Sequence, residues 1–147
     1  MEFKKFSLMI NETKVKSYAD FLAQGKIMAT RCKKCNREYY PPQSDCSQCL
    51  SQEMDWFECP SEGKLISITQ IMVLPEHFAL PELSVPFAKA TLMPSPVGLL
   101  DVKEGIRIMG WIPKTMAGEL KVGDWMKARP QVLDDGRVTI VLEKSEV

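Results

Sequence analysis

The chain has 147 residues, 45% of them apolar and 26% charged, the profile of a globular protein of one ordinary domain or of a small module joined to one compact domain. Nineteen basic residues balance nineteen acidic ones, a poor start for a protein that holds nucleic acid through cations meeting phosphates. No apolar run approaches the ~20 residues of a membrane span, and the first twelve residues, MEFKKFSLMINE, hold no apolar stretch of signal-peptide length, so the expected location is cytoplasmic.

In chain order the first predicted element is a helix over residues 13–24, where Val15, Tyr18, Phe21 and Leu22 recur at helical spacing and Gly25 follows as a stop. A helix this short needs something to pack on. Residues 26–59 read as a metal module. Lys26–Arg31 is a strand entering a first turn and Arg37–Tyr40 its return. Cys32, Cys35, Cys46 and Cys49 stand as C-x2-C-x10-C-x2-C. Each pair closes a tight turn that aims two thiolates at one point, and two such turns supply a closed tetrahedral sulfur shell. Two disulfides would need an oxidising compartment, and a redox C-x-x-C normally occurs once, beside a βαβ pattern absent here. Zinc is the expected ion, in a structural role because no coordination position is left open; iron in a rubredoxin-type site uses the same four ligands.

Four cations, Arg31, Lys33, Lys34 and Arg37, surround the first cysteine pair. They either offset the negative charge of the metal–thiolate centre or meet an anionic partner or a phosphate-bearing ligand. Tyr39, Tyr40, Trp56 and Phe57 are either the miniature core of the module and its join to the next domain, or a partly exposed surface for a partner. Cys59, the odd cysteine, reads as a small buried hydrophobe.

From Gly63 onward the pattern changes to strands: 63–74, 87–93, 98–102, 106–112, 123–129 and 138–142, with Asp134-Asp135-Gly136 as a turn. Short strands with this punctuation predict a small closed barrel of the OB type. The proline-rich loop 75–86 holds the only histidine, His77. The organisation expected is therefore a mainly β protein with a helical segment over 1–25, a rubredoxin-like zinc ribbon over 26–59 and a five-stranded OB barrel over 60–147. No nucleophile–base motif, P-loop or H-E-x-x-H occurs, so the chain by itself reads as non-catalytic.

The ordered combination of a leading helix, GKIMATRCKKC, CSQC, WFE, GKLISIT, PFAKATL, GIRIMGWI and LKVGDWMKAR resembles the DUF35 family, a rubredoxin-like zinc ribbon joined to an acyl-CoA-associated OB-fold, over residues 13–143. Cys32, Cys35, Cys46 and Cys49 match the family's metal positions, Gly63 and Thr69 its first barrel strand and Gly123 its penultimate strand. Asn36 and Leu50 depart from it, standing where glycine commonly follows each cysteine pair. The resemblance implies an accessory subunit of a thiolase-superfamily enzyme, with the acyl-CoA chemistry in the partner. On that reading Arg31, Lys33, Lys34 and Arg37 are candidate coenzyme A contacts, and Tyr18, Phe21, Tyr39, Tyr40, Trp56 and Phe57 are candidate partner contacts. Two other classes compete. One is a nucleic-acid-binding module stacking bases on Phe87, Trp111 and Trp125; the other is a rubredoxin-like electron carrier with iron.

Overall fold

The structure is a computed structural model, described here for residues 14–73 and 95–145. The helix α1 (Lys14–Ala23) is followed by three short strands, β1 (Met28–Cys32), β2 (Glu38–Tyr39) and β3 (Met54–Glu58), which form one sheet in the order β2-β1-β3. Then come β4 (Glu62–Ile71), β5 (Ser95–Lys103), β6 (Ile106–Trp111), the single turn α2 (Lys114–Ala117), β7 (Trp125–Val132) and β8 (Val138–Lys144). The last five strands close into a barrel in the order β4-β5-β6-β8-β7. All neighbours are antiparallel except β6 and β8, which run parallel. A closed five-stranded barrel with that connection is the OB-fold.

The predicted helix is in place and ends as its sequence dictates. Gly25 sits at φ 81°, its N–H donates to Leu22 O, and the Lys26 N–H reaches back to Phe21 O; this paired closure uses a left-handed residue that glycine adopts without a Cβ penalty. Tyr18 and Leu22 point inward, whereas Val15 stays exposed. The strand β3 was not expected from the sequence. Met54–Glu58 pairs along the whole of β1, from Met28 opposite Glu58 to Cys32 opposite Met54. The strand expected at 87–93, the loop 75–86 with His77, and the residues before Lys14 lie outside the described residues.

One apolar core runs through the molecule. Leu22 of α1, Ile27, Ala29 of β1 and Cys59 join Leu65, Leu100, Ile106, Ile108, Met126 and Leu142 of the barrel in a single buried cluster. Cys59 belongs to this core, and burial, followed by the nearby Glu38 carboxylate, pushes its thiol up to about 11. A second, smaller cluster of Cys32, Cys46 and Met54, with Tyr39 against it, lies around the four cysteines. No helix of the described residues is long and apolar enough to cross a membrane.

Candidate metal centre and the joint around it

The two cysteine turns are copies of one another. Asn36 N–H donates to Cys32 O and Leu50 N–H to Cys46 O; Cys32 N–H donates to Arg37 O and Cys46 N–H to Ser51 O. In each turn the first cysteine is fully buried and the second exposed. The N–H groups of Cys35 and Lys34 donate to the Cys32 sulfur, as those of Cys49 and Gln48 do to Cys46. Arg37 N–H does the same for Cys35 and Ser51 N–H for Cys49. Six backbone donors are thus aimed at four sulfurs, a field that favours thiolates.

The four Sγ atoms lie within 4.8 Å of one another. Across the two turns Cys32 Sγ is 3.5 Å from Cys49 Sγ and Cys35 Sγ 3.4 Å from Cys46 Sγ. A tetrahedron with metal–sulfur bonds of about 2.3 Å has edges of about 3.8 Å, so the sulfurs fit one tetrahedral ion, and the all-sulfur donor set selects zinc or iron over hard cations. The ion would be held by Cys32, Cys35, Cys46 and Cys49 in a closed shell, stabilising the fold.

The departures at Asn36 and Leu50 leave this geometry intact. Both residues adopt the left-handed conformation that the turns require, at φ 61° and 60°. Leucine pays about 1–2 kcal/mol for that conformation, and the Leu50 side chain is 80% exposed, so little packing compensates. Leu50→Gly is expected to raise stability by about 1 kcal/mol, net of the extra freedom glycine gives the unfolded chain. A thermal melt of the metal-loaded protein checks this, and an unchanged or lower midpoint would show that Leu50 carries a contact of its own.

Tyr39 supports the centre from the next layer. Its hydroxyl lies 3.1 Å from Cys46 Sγ, accepts from Ser47 N–H and meets Ser47 Oγ. That phenol, with the Gln48 and Cys49 N–H groups behind it, holds the Cys46 thiol at about 6. Cys49 goes the other way, up to about 12: the Ser51 N–H favours its thiolate, but Cys32, burial and the other two cysteines outweigh it. Such hydroxyl support of a ligand is the kind of contact that tunes metal affinity.

Each of the four predicted cations has a partner within the chain. Arg31 donates from Nε (3.1 Å) and Nη2 to Glu38 and lies over the Phe57 ring. Arg37 donates to Gln48 Oε1 and stands over Tyr39. Lys33 and Lys34 form longer, exposed ion pairs with Asp55 (3.4 Å) and Glu53 (3.9 Å), of the kind worth at most about 1 kcal/mol.

The predicted aromatics gather where α1, the ribbon and the barrel meet. Phe21 stacks edge-on against Trp56, with the Lys14 ammonium over Trp56. Tyr18 and Tyr40 share a hydroxyl–hydroxyl hydrogen bond of 2.7 Å, and burial raises the pKa of both. Phe57 lies under Arg31 and Lys103. Tyr39 alone turns to the metal. The joint is fastened by Glu38 of β2, whose carboxylate takes Lys103 of the barrel at 2.8 Å as well as Arg31.

Lys103 first, and Arg31 with it, holds the Glu38 carboxyl below its ordinary value of 4.5. A depressed folded value means stability that is present above the unfolded pKa and lost as pH falls through the folded one. Glu38→Gln is expected to cost about 1 kcal/mol at pH 7, since both cations are partly exposed. The difference from the parent chain should shrink as the pH drops below about 4.5. Urea melts at several pH values test this; a pH-independent difference would remove the ion pair as its cause.

Several of these roles left no sign in the sequence. Lys103, 65 residues from Glu38, and the pairing of Tyr18 with Tyr40 depend on long-range packing. Arg107 was also missed. It projects from the outer face of β6 and forms no ion pair or hydrogen bond among the described residues, although Asp101 stands opposite it on β5. The alternation of Ile106, Arg107, Ile108, Met109 and Gly110, buried at even positions and exposed at odd ones, was the signal that could have placed it.

A metal ribbon of two equivalent cysteine turns, sharing a core with an OB barrel, defines a zinc-ribbon OB protein. Residues 19–55 match the family described as ChsH2, rubredoxin-like zinc ribbon domain. Among solved structures, the chain is similar to one described as "Ltp2-ChsH2(DUF35) aldolase", at 20% identity and a TM-score of 0.66, over 92% of this chain and 97% of that one. It is also similar to a DUF35-family protein of unknown function from Sulfolobus solfataricus, at 20% identity and a TM-score of 0.54, over 88% and 85% of the two chains. Residues 19–55 thus match the zinc-ribbon family, and nearly the whole chain shares the fold of these DUF35 structures.

Proposed function

We propose that the chain is the accessory subunit of a thiolase-like enzyme that makes or breaks carbon–carbon bonds in acyl-CoA thioesters. It carries no part of the chemistry, docks through the ribbon and α1, and helps to enclose the acyl-CoA. The observation that carries this reading is the near end-to-end likeness to a chain of the Ltp2-ChsH2(DUF35) aldolase, a structure whose description joins a DUF35 chain to a second component under one enzymatic activity. A closed four-sulfur shell, which offers a substrate no open position, agrees with it.

The half-buried pair Phe21 and Trp56, at the outer side of the joint, is the centre of the proposed docking surface, because aromatics with area still to bury dominate interface energetics. Tyr18, Tyr39, Tyr40 and Phe57 hold that surface in shape from within. Lys33 and Lys34 are the cations most able to leave their exposed partners for a coenzyme A phosphate; Arg31 and Arg37 are committed more closely. Affinity purification of the tagged chain from its native host should recover a larger thiolase-like subunit in fixed ratio, together with acyl-CoA-dependent activity. Recovery of a stable monomer, with no such activity co-migrating, would sink the proposal.

A further inference from the structure

The four cysteines pair across the ribbon as well as along the chain. Cys32 Sγ of the first turn lies 3.5 Å from Cys49 Sγ of the second, and Cys35 Sγ 3.4 Å from Cys46 Sγ. Each cross-turn pair joins an exposed cysteine, Cys49 or Cys35, to a buried one, Cys32 or Cys46. A disulfide bond of about 2.0 Å would need either pair to approach by only about 1.5 Å. That arrangement suits a two-step oxidation: the exposed member meets an oxidant from solvent, and the buried member stands within reach to resolve it. Cys59, buried in the shared core, has no such access.

The two pairs differ in one respect. Backbone donors do not separate them, since two N–H groups are aimed at Cys32 and two at Cys46. Cys46 has the Tyr39 phenol in addition. That hydroxyl accepts from Ser47 N–H and lies 3.1 Å from Cys46 Sγ; a thiolate can only accept there, so the phenol donates. A hydrogen bond of this kind draws charge from the sulfur and slows it as a nucleophile. Among the described residues, no side chain other than a cysteine meets the Cys32 sulfur. Of the two buried sulfurs Cys32 is therefore the freer to attack.

We propose that the ribbon is a hydroperoxide-modified site in which two cross-turn disulfides, Cys32–Cys49 first and Cys35–Cys46 second, replace the metal and keep the two turns joined. In each link the exposed thiolate attacks hydrogen peroxide, the O–O bond breaks, and a sulfenic acid and hydroxide form. The buried thiolate then attacks the sulfenic sulfur, the S–S bond forms and a second hydroxide leaves. Two sulfurs lose two electrons to one peroxide, and two protons turn the hydroxides into water. Each link removes two thiolates from the metal shell. Links along the chain, Cys32–Cys35 and Cys46–Cys49, would instead leave the turns unconnected.

The test is stepwise addition of hydrogen peroxide to the zinc-loaded full chain. Zinc release is read with a chromogenic chelator, disulfides by peptide mapping after alkylation, and ribbon order by hydrogen exchange. Cys32–Cys49 is expected to form before Cys35–Cys46, Cys59 to stay reduced, and a reductant with added zinc to restore the starting state. The oxidised, zinc-free chain should keep protection over residues 26–59 that the chelator-stripped reduced chain loses. Tyr39→Phe, with zinc content confirming an intact shell, should speed the Cys35–Cys46 link by about threefold, the effect of one hydrogen bond on a sulfur nucleophile, and narrow the order. Links along the chain, sulfinic acids without disulfides, a link to Cys59, or an oxidised ribbon as unprotected as the stripped one would overturn the proposal. An order indifferent to Tyr39→Phe would overturn the sequence assigned to the two links.

Discussion

Stripping the metal with a strong chelator is expected to unfold the ribbon and to lower the melting midpoint of the whole chain by at least about 10 °C. Structural zinc sites bind with apparent free energies on the order of 10 kcal/mol at neutral pH, as large as the entire net stability of a domain. Very little else holds residues 32–51 together: the local cluster is Cys32, Cys46, Met54 and Tyr39, and two of its four members are ligands. The effect should reach the barrel because Ile27, Ala29 and Cys59 share its core. Hydrogen exchange followed by mass spectrometry, before and after chelation, should show protection lost across residues 26–59 and reduced in α1. Cys32→Ser should act in the same direction and loosen any complex before it lowers turnover. Metal retention should also fall as the pH drops, since protons compete for the thiolates. The Cys46 thiol, held near 6, gives up its proton readily, whereas Cys35 and Cys49, both raised, must lose theirs to the ion. An unchanged melt and exchange pattern, with metal analysis confirming removal, would mean that the ribbon stands without its ion.

Gly63→Ala is expected to be the most damaging single methyl group in the barrel, costing about 3 kcal/mol. A Cβ at this position would lie 2.3 Å from the backbone oxygen of Asp101, and 2.8 Å from both its carbonyl carbon and Val102 Cα. Those are main-chain atoms of β5, so no rotamer change relieves the clash. Gly63 also pairs with Met126 of β7, at the point where β4 passes between its two neighbours and the barrel closes. The clash would therefore separate β4 from β5 at the strand that completes the ring. Chemical denaturation of the metal-loaded variant measures the loss; a cost below about 1 kcal/mol would show that β5 gives way easily there.

The cysteine spacing was readable because metal chemistry imposes it locally: two residues between ligands fix a turn whatever surrounds it. The helix was readable for a similar reason, its apolar spacing and its terminal Gly25 both being local. The barrel strands β4 to β8 were legible from short strand-like runs set off by turn signals and glycines, and closure was expected from that punctuation. What the sequence concealed were partnerships set by packing. Arg31, Lys33, Lys34 and Arg37 look like a free basic patch in one dimension. Their partners, the carboxylates of Glu38, Asp55 and Glu53 and the neutral amide of Gln48, are brought in by the return strand, by β3 and the residue before it, and by the second cysteine turn. Trp56 and Phe57 carried no strand signal strong enough to announce β3, which exists because β1 needs a second neighbour. Tyr39 and Tyr40 read as one aromatic pair, yet they serve opposite sides of the sheet.

That last division bears on how so short a strand finds its place. The strand β2 has only two residues, Glu38 opposite Arg31 and Tyr39 opposite Thr30, and a sliding error of one residue would exchange its faces. Two consecutive tyrosines cannot by themselves oppose such a slip, because either would present a ring and a hydroxyl. Glu38 breaks the degeneracy in both directions. A slip that moved Tyr39 into the place of Glu38 would leave Lys103 and Arg31 facing a neutral phenol. The opposite slip would put a carboxylate beside Cys46, against the negative charge of the thiolate centre. The tripeptide Glu38-Tyr39-Tyr40 thus encodes its own register, with one acidic residue specifying which tyrosine faces the metal and which meets Tyr18 of α1.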